Sequence, residues 1–307
     1  MTSPAGRVLG IVVTYHPDPA TLDRVFAALV PEVDHVVVID NQSTEESRRV
    51  IAEAGRGIAP DASEHPLSVE LVSNAGNEGV SVAFNQGISR ALTRGFDFVF
   101  LIDQDSVVRR GAVRMLLEQY QELGARFPVG ALQAANAEPG GRVTLDTRRR
   151  EFYRRRNGFQ SDAAFQGLLL MNSGALIPVA SLRAVGSFDE RYFVDFVDYE
   201  FSLRLARHGF RVFHVPGAVI DHNVSDARPP DVRRLYYAER ELVRLIRTYG
   251  PRQASGVAPI VWTTMNRMGS LLLRSGSPGR VLQLTVRAMF DGLLGVTGEL
   301  PPSVAVS

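Results

Sequence analysis

Strand-length apolar runs alternate with segments of helical spacing up to about residue 125, and this alternation constrains the fold more than any other feature. Val8 to Thr14 reads as a strand, and Pro19 to Val30 follows with Leu22, Val25, Phe26 and Leu29 on one helical face. Val33 to Ile39 is a second strand. Thr44 to Ala54 is a polar helix, with Ser43 as its expected cap and Glu46 three residues on. After a loop over Gly55 to Pro66 come a strand at Ser68 to Val72, a helix at Val80 to Leu92, a strand at Phe96 to Ile102 and a helix at Ala112 to Leu123. Such an order predicts a parallel sheet with right-handed crossovers. With 307 residues, 45% of them hydrophobic, the chain supports one large α/β domain, placed at residues 1–230, and a C-terminal helical region at residues 231–307.

The run Phe98-Val99-Phe100-Leu101-Ile102 ends in Asp103-Gln104-Asp105. Open α/β sheets bind ligands at the carboxyl ends of their strands. Two carboxylates one residue apart there suit a divalent cation, Mg²⁺ or Mn²⁺, that also holds phosphates. A polar turn is the plainer reading of the same residues. Asp40-Asn41 ends the second strand, where an acid commonly meets a nucleoside or caps the next helix. Asn74-Ala75-Gly76-Asn77-Glu78-Gly79 precedes a helix and lets backbone approach a phosphate. It is not G-x-G-x-x-G, and no G-x-x-x-x-G-K-[ST] element exists, so neither a standard dinucleotide fold nor a P-loop is expected.

The chain has no cysteine, which removes disulfides, thiolate nucleophiles and zinc–thiolate sites. Its net charge of +1 does not indicate a nucleic-acid partner. The N-terminus lacks the apolar core of a signal peptide, and no stretch reaches the roughly 18 apolar residues of a spanning helix. A cytoplasmic protein, soluble or peripheral at the inner face of the membrane, is the expectation.

In the second half, Gly130 to Ala135 reads as a strand, and Arg142 to Arg156 as a basic, turn-rich segment carrying Arg148-Arg149-Arg150 and Arg154-Arg155-Arg156, a solvated face or a phosphate contact. Leu168 to Pro178 is apolar around Asn172-Ser173-Gly174. Three carboxylates, Asp195, Asp198 and Glu200, then stand among apolar residues. On a helix Asp195 and Asp198 would share a face. A carboxylate in such surroundings has its pKa raised, which suits a general base. The alternative is helix N-terminal carboxylates, with Arg204 as an ion-pair partner. Arg211 to Val215 reads as a strand, Pro216-Gly217 as a turn, and Asp221-His222 follows; a histidine there is a ligand or a structural residue. Beyond Asp231 the spacing is helical to about Gly292. The apolar Val257 to Trp262 and Leu271 to Leu273, with Arg267, Arg274, Arg280 and Arg287, suit an interfacial helix on anionic lipid or packing on the catalytic domain or a second subunit.

Taken in order, Val12-Val13-Thr14-Tyr15, Asp40-Asn41-Gln42-Ser43, Asn77-Glu78-Gly79, Leu101-Ile102-Asp103-Gln104-Asp105-Ser106 and Phe193-Val194-Asp195-Phe196-Val197-Asp198-Tyr199-Glu200 resemble the family 2 glycosyltransferases of the GT-A fold. Within that family the chain looks most like the bacterial rhamnosyltransferases. The resemblance spans about residues 7 to 225. It implies a Rossmann-like, mostly parallel sheet flanked by helices. Thr14, Tyr15 and Asp40 would line the nucleoside pocket, and Asn77 and Asn85 would help hold the nucleotide. Asp103 would approach ribose or metal, Asp105 would ligate the metal, and His222 matches a metal-ligand histidine of some relatives. Asp198 matches the catalytic base. Val197 stands where many relatives carry an acid, which leaves Asp195 or Glu200 for acceptor recognition. The implied reaction is metal-dependent, inverting sugar transfer from dTDP-β-L-rhamnose to a hydroxyl of a cell-surface glycan or lipid-linked precursor. UDP-galactofuranose or another UDP-sugar is the alternative donor, a non-catalytic sugar-nucleotide binder the alternative class, and a homo-oligomer an open expectation.

Overall fold

The computed structural model describes residues 6–57, 69–137, 158–222, 232–250 and 277–300, with scattered positions between 253 and 269. The arginine clusters at 148–150 and 154–156, Arg267, Leu271 to Leu273 and Arg274 lie outside the described residues.

The N-terminal half alternates as its sequence requires: β1 (Val8–Thr14), α1 (Pro19–Leu29), β2 (His35–Asp40), α2 (Glu45–Gly57), β3 (Val69–Ser73), α3 (Val80–Arg94) and β4 (Phe98–Asp103). After β5 (Ser106–Val108) and α4 (Ala112–Gly124) come β6 (Val129–Ala137), β7 (Phe165–Gly167), β8 (Ala175–Pro178), α5 (Val179–Val185), α6 (Val197–Arg207) and β9 (Arg211–His222). Helices α7 (Val232–Tyr249) and α8 (Pro278–Leu294) follow. The nine strands form one sheet in the order β3-β2-β1-β4-β8-β6-β9-β5, with β7 also on β9.

Strands β1 to β4 pair in parallel. The second half is mixed: β6 runs parallel to β9, while β4–β8, β6–β8, β5–β9 and β7–β9 are antiparallel. Alternate residues of each central strand serve opposite layers. Leu9, Ile11, Val99 and Leu101 join α3 and α6 in one core. Val8, Val12, Phe98, Phe100 and Ile102 join α1 and α4 in the other. Leu242, Leu245 and Tyr249 of α7 belong to the first core, while Tyr236 and Tyr237 form a separate cluster with Phe193, Leu284, Ala288 and Leu300.

Two local expectations are corrected. Thr44, not Ser43, caps α2: its Oγ1 accepts the Ser47 N–H at 3.2 Å, while the Ser43 hydroxyl accepts the His16 N–H at 2.8 Å. Pro216-Gly217 does not end a strand. It is a bulge within β9, where the register jumps from Ala134–Val215 to Ala135–Val219. Proline removes one ladder donor, and the bulge lets the strand run on. Ser106 thereby pairs with His222, and Val107 with Asp221.

Candidate active site

The parallel register aligns the carboxyl ends of the first strands. Thr14 pairs with Asp40, Val13 with Asp103, and Asp40 with Ser73. Beyond Asp103 the chain makes a tight turn into β5. Gln104 grips the end of β1 twice, its Oε1 accepting the Tyr15 N–H at 2.7 Å and its Nε2 donating to the Tyr15 carbonyl at 3.2 Å. Because β9 continues past its bulge, His222 arrives beside this turn. Asp103, Asp105 and His222 each offer a ligand atom, and these atoms lie within 4.8 Å of one another. Ser106 Oγ and His222 Nδ1 are hydrogen-bonded at 2.6 Å, which orients the ring. Burial and then the Asp105 charge push the Asp103 carboxyl up to about 6, against the pull of His222 and Arg234. A divalent cation relieves that burial and repulsion, and two carboxylates with one imidazole are a fitting donor set.

The other strand ends are held by a polar network. Asp40 and Thr14 are fully buried and face each other: Asp40 Oδ1 accepts the Thr14 hydroxyl at 3.0 Å and Oδ2 the Ser43 N–H at 3.1 Å. This corrects the expectation that both side chains line the pocket, since neither has surface to offer; Tyr15, 45% exposed, does. Asn41 donates to Asn77 Oδ1 at 2.7 Å and accepts the Asn74 amide and the Glu78 N–H. Asn77 thus helps tie β2 and β3 to the entry of α3. Asn85 is not free for a nucleotide. Its amide donates to the Phe188 carbonyl and to Glu190, and accepts the Phe188 N–H.

The acidic segment differs from its expected helical form. Asp195 precedes α6, because Phe196 takes a left-handed conformation, φ 60, that ends any helical register between Asp195 and Asp198. A bulky residue there is a strained exception. Asp198 falls in the first turn of α6, and its Oδ1 accepts the Tyr199 N–H at 2.9 Å. Burial pushes its carboxyl up to about 7; the Tyr199 N–H opposes the shift and the Asp195 charge adds to it. Glu200 is corrected: it faces the interior, not an acceptor. It is 3% exposed, pairs with Arg204 at 3.0 and 2.8 Å, and accepts the Tyr249 hydroxyl at 2.6 Å. For Glu200 the geometry is the Arg204 ion pair.

Residues 172–173 connect the two acidic clusters. Ser173 Oγ accepts the Asp103 N–H at 3.1 Å, and the Asn172 backbone amide bonds to the Asp198 carboxylate. Gln133 braces this loop, its Nε2 donating to the Ser173 carbonyl at 2.9 Å and its Oε1 accepting the Met171 N–H at 2.8 Å. Arg234 lies 3.8 Å from Asp195, and its charge is also felt at Asp103. Residues 172–173 and Arg234 therefore link the two clusters. Sequence reasoning missed Gln104 and Gln133. The available signal for Gln133 was a lone amide inside the apolar run Gly130 to Ala135.

This mixed sheet, with an Asp-x-Asp turn at the carboxyl end of its central strand β4, has the GT-A fold. Two solved structures share it. S. aureus TarS residues 1–349, in complex with UDP-GlcNAc, aligns with a TM-score of 0.58 and 16% identity over 97% of this chain and 82% of that one. GalNAc-T7 with UDP, GalNAc and Mn²⁺ aligns with a TM-score of 0.54 and 13% identity over 76% of this chain; the match covers 48% of that chain, about half its length. The family model "Glycosyltransferase like family 2" matches residues 4–248, and the chain belongs to that family of glycosyltransferases. The dTDP-rhamnosyl transferase RfbF of Shigella flexneri is 23% identical over 315 residues, covering 95% of this chain and 97% of that protein.

Proposed function

We propose that the protein transfers L-rhamnose from dTDP-β-L-rhamnose, with inversion, to a hydroxyl of a cell-surface glycan or its lipid-linked precursor. The observation that carries the reaction type is Asp198, a half-buried carboxylate pushed up to about 7 by its surroundings, linked through residues 172–173 to the Asp103, Asp105 and His222 cluster. The similarity to a dTDP-rhamnosyl transferase supports the donor.

In this reading Asp103, Asp105 and His222 hold Mg²⁺ or Mn²⁺. The ion, when bound, supplies positive charge against the departing diphosphate. Tyr15 borders the nucleoside, while Thr14, Asp40 and Asn77 fix the strand ends that shape its pocket. Asp198 takes the proton of the acceptor hydroxyl as that oxygen attacks the anomeric carbon. The bond from that carbon to the diphosphate oxygen breaks, dTDP leaves, and an α-linked rhamnoside results. A base contributes roughly 10²–10⁴-fold to such a step. Asp195, close to Asp198 in charge and position, is assigned to the acceptor; Glu200 and Asn85 are withdrawn from the site. Titration of dTDP into the protein with Mn²⁺ tests the cluster: binding should require the ion and weaken in Asp105→Ala. Equal affinity with EDTA, or in that variant, would refute the metal assignment.

The outer face of α8 supports a contact with the membrane surface. Leu282, Val286, Met289, Phe290, Leu293 and Leu294 are exposed along it, Leu294 at 78%. Among the described residues, no helix is long and apolar enough to cross a membrane. Flotation on anionic vesicles should be lost in Phe290→Ser/Leu294→Ser; retained flotation, or a change in oligomer mass instead, would refute a lipid contact.

A further inference from the structure

We propose that Glu241, on α7, is a positioning residue that holds the backbone presenting Asp198 to the acceptor. The inference rests on Asp198 being the base. Glu241 reaches the segment just before α6. Its Oε1 accepts the Phe193 N–H at 2.8 Å, and its Oε2 accepts the Asp195 N–H at 2.9 Å and the Val194 N–H at 3.4 Å. The carboxylate is fully buried and pairs at 3.0 Å with Arg240, which is buried as completely.

The same segment is fixed from the opposite side by α3. The Val80 N–H donates to the Phe193 carbonyl at 2.7 Å, and the Ser81 hydroxyl donates to the Tyr192 carbonyl. Gly79 allows this approach: at its φ of +86, a Cβ would stand 2.6 Å from the Phe193 carbonyl oxygen. One residue past the anchored stretch is Phe196 in its left-handed conformation, and two residues further is Asp198. Strained backbone persists only where its surroundings over-determine it, and such strain gathers at functional sites. Glu241 supplies that constraint. Three consecutive N–H groups without helix or strand partners converge on one side chain.

A buried carboxylate is a costly way to satisfy backbone donors. It holds three of them in one geometry, which a neutral side chain cannot do, because an amide presents a donor to at least one N–H. Glu241 therefore sets the direction in which the strained turn aims α6. It touches neither donor nor acceptor and acts through Asp198.

The test is a double-mutant cycle of Glu241→Gln and Asp198→Asn, read by kcat for transfer, by the Kd of dTDP with Mn²⁺, and by thermal unfolding. Glu241→Gln should lower kcat on the order of 100-fold, as misplacing a reacting group by about 1 Å does. The dTDP Kd should stay put, because the nucleotide lies at the β1, β2 and β4 ends. In the Asp198→Asn background the same change should cost almost nothing further, since both act on one step. Equal losses in both backgrounds, or a loss of dTDP affinity that matches the loss of rate, would overturn the positioning role. Should Glu241→Gln fail to fold, Glu241→Asp keeps the charge beside Arg240, withdraws the carboxylate by one methylene, and enters the same cycle. Full transfer by Asp198→Asn alone would overturn the base reading and this proposal with it, and that result comes from a variant in which Glu241 is intact.

Discussion

Replacing Asp198 with asparagine should make the protein more stable and nearly inactive at once. Asparagine keeps an oxygen for the Tyr199 N–H and removes a charge that burial disfavours. The carboxyl moves from 3.8 to about 7 on folding. A folded pKa above the unfolded one means that the native state holds the proton more tightly, so this group costs stability as pH rises from about 4 and costs most above about 7. At roughly 1.4 kcal/mol per unit, three units set a ceiling of about 4 kcal/mol at pH 8. We predict that Asp198→Asn, unfolded thermally in EDTA, melts several degrees above the parent at pH 8. The gap should narrow to roughly 1.6 kcal/mol at pH 5 and close only below about pH 4, where the carboxyl is protonated in the unfolded chain as well. Its transfer rate should fall by roughly 10²–10⁴-fold. The parent rate should climb about tenfold per pH unit below 7 and then level, a rise the variant loses. An unchanged melting difference between pH 5 and pH 8, or a flat parent profile, would refute the claim that burial tunes Asp198 for proton transfer.

Other consequences are equally direct. Glu200→Gln leaves the half-buried Arg204 without its anion and should cost about 1–3 kcal/mol in urea unfolding, while the acceptor KM of the remaining folded enzyme stays unchanged; a raised KM would restore Glu200 to the acceptor site. Ser106→Ala frees the His222 ring and should weaken Mn²⁺ binding roughly 10–100-fold, which calorimetry can measure against Asp105→Ala. Gly79→Ala sets a Cβ 2.6 Å from the Phe193 carbonyl oxygen at a φ of +86. It should therefore lower transfer and thermal stability together, and a variant that melts like the parent would show that the α3 entry yields without cost.

The parallel half of the sheet was legible because its information is local. Apolar alternation in β1 and β4, and one-sided spacing in α1, α3 and α4, suffice to order those layers. The Asp103-Gln104-Asp105 turn was legible for the same reason: a carboxylate pair directly after a five-residue apolar run has few other places to go. His222 was expected there only through the family resemblance, since its meeting with Asp105 depends on a bulge at Pro216 to Ala218 that extends β9, and the residues alone read there as a turn. Phe196 hid the true start of α6, because no residue pattern announces a left-handed phenylalanine. The contacts from α3 and α7 that hold the residues just before it, 192–195, are distant in sequence. Asp40 and Glu200 failed as surface ligands for one shared reason. A carboxylate near a strand end or a helix start looks the same in sequence whether it faces a cleft or a buried partner; only the arrival of Thr14 and Ser43, or of Arg204 and Tyr249, decides it.

The central claim is that one site pairs a metal-held sugar diphosphate with an Asp198 base. The most direct measurement is transfer or hydrolysis across a panel of nucleotide sugars, with Mn²⁺ or Mg²⁺ and with EDTA. The account predicts turnover of dTDP-L-rhamnose that needs the ion, disappears in EDTA and is lost in Asp198→Asn. Preference for UDP-galactofuranose or UDP-N-acetylglucosamine would contradict the donor, and turnover undiminished by EDTA would contradict the metal-held diphosphate itself.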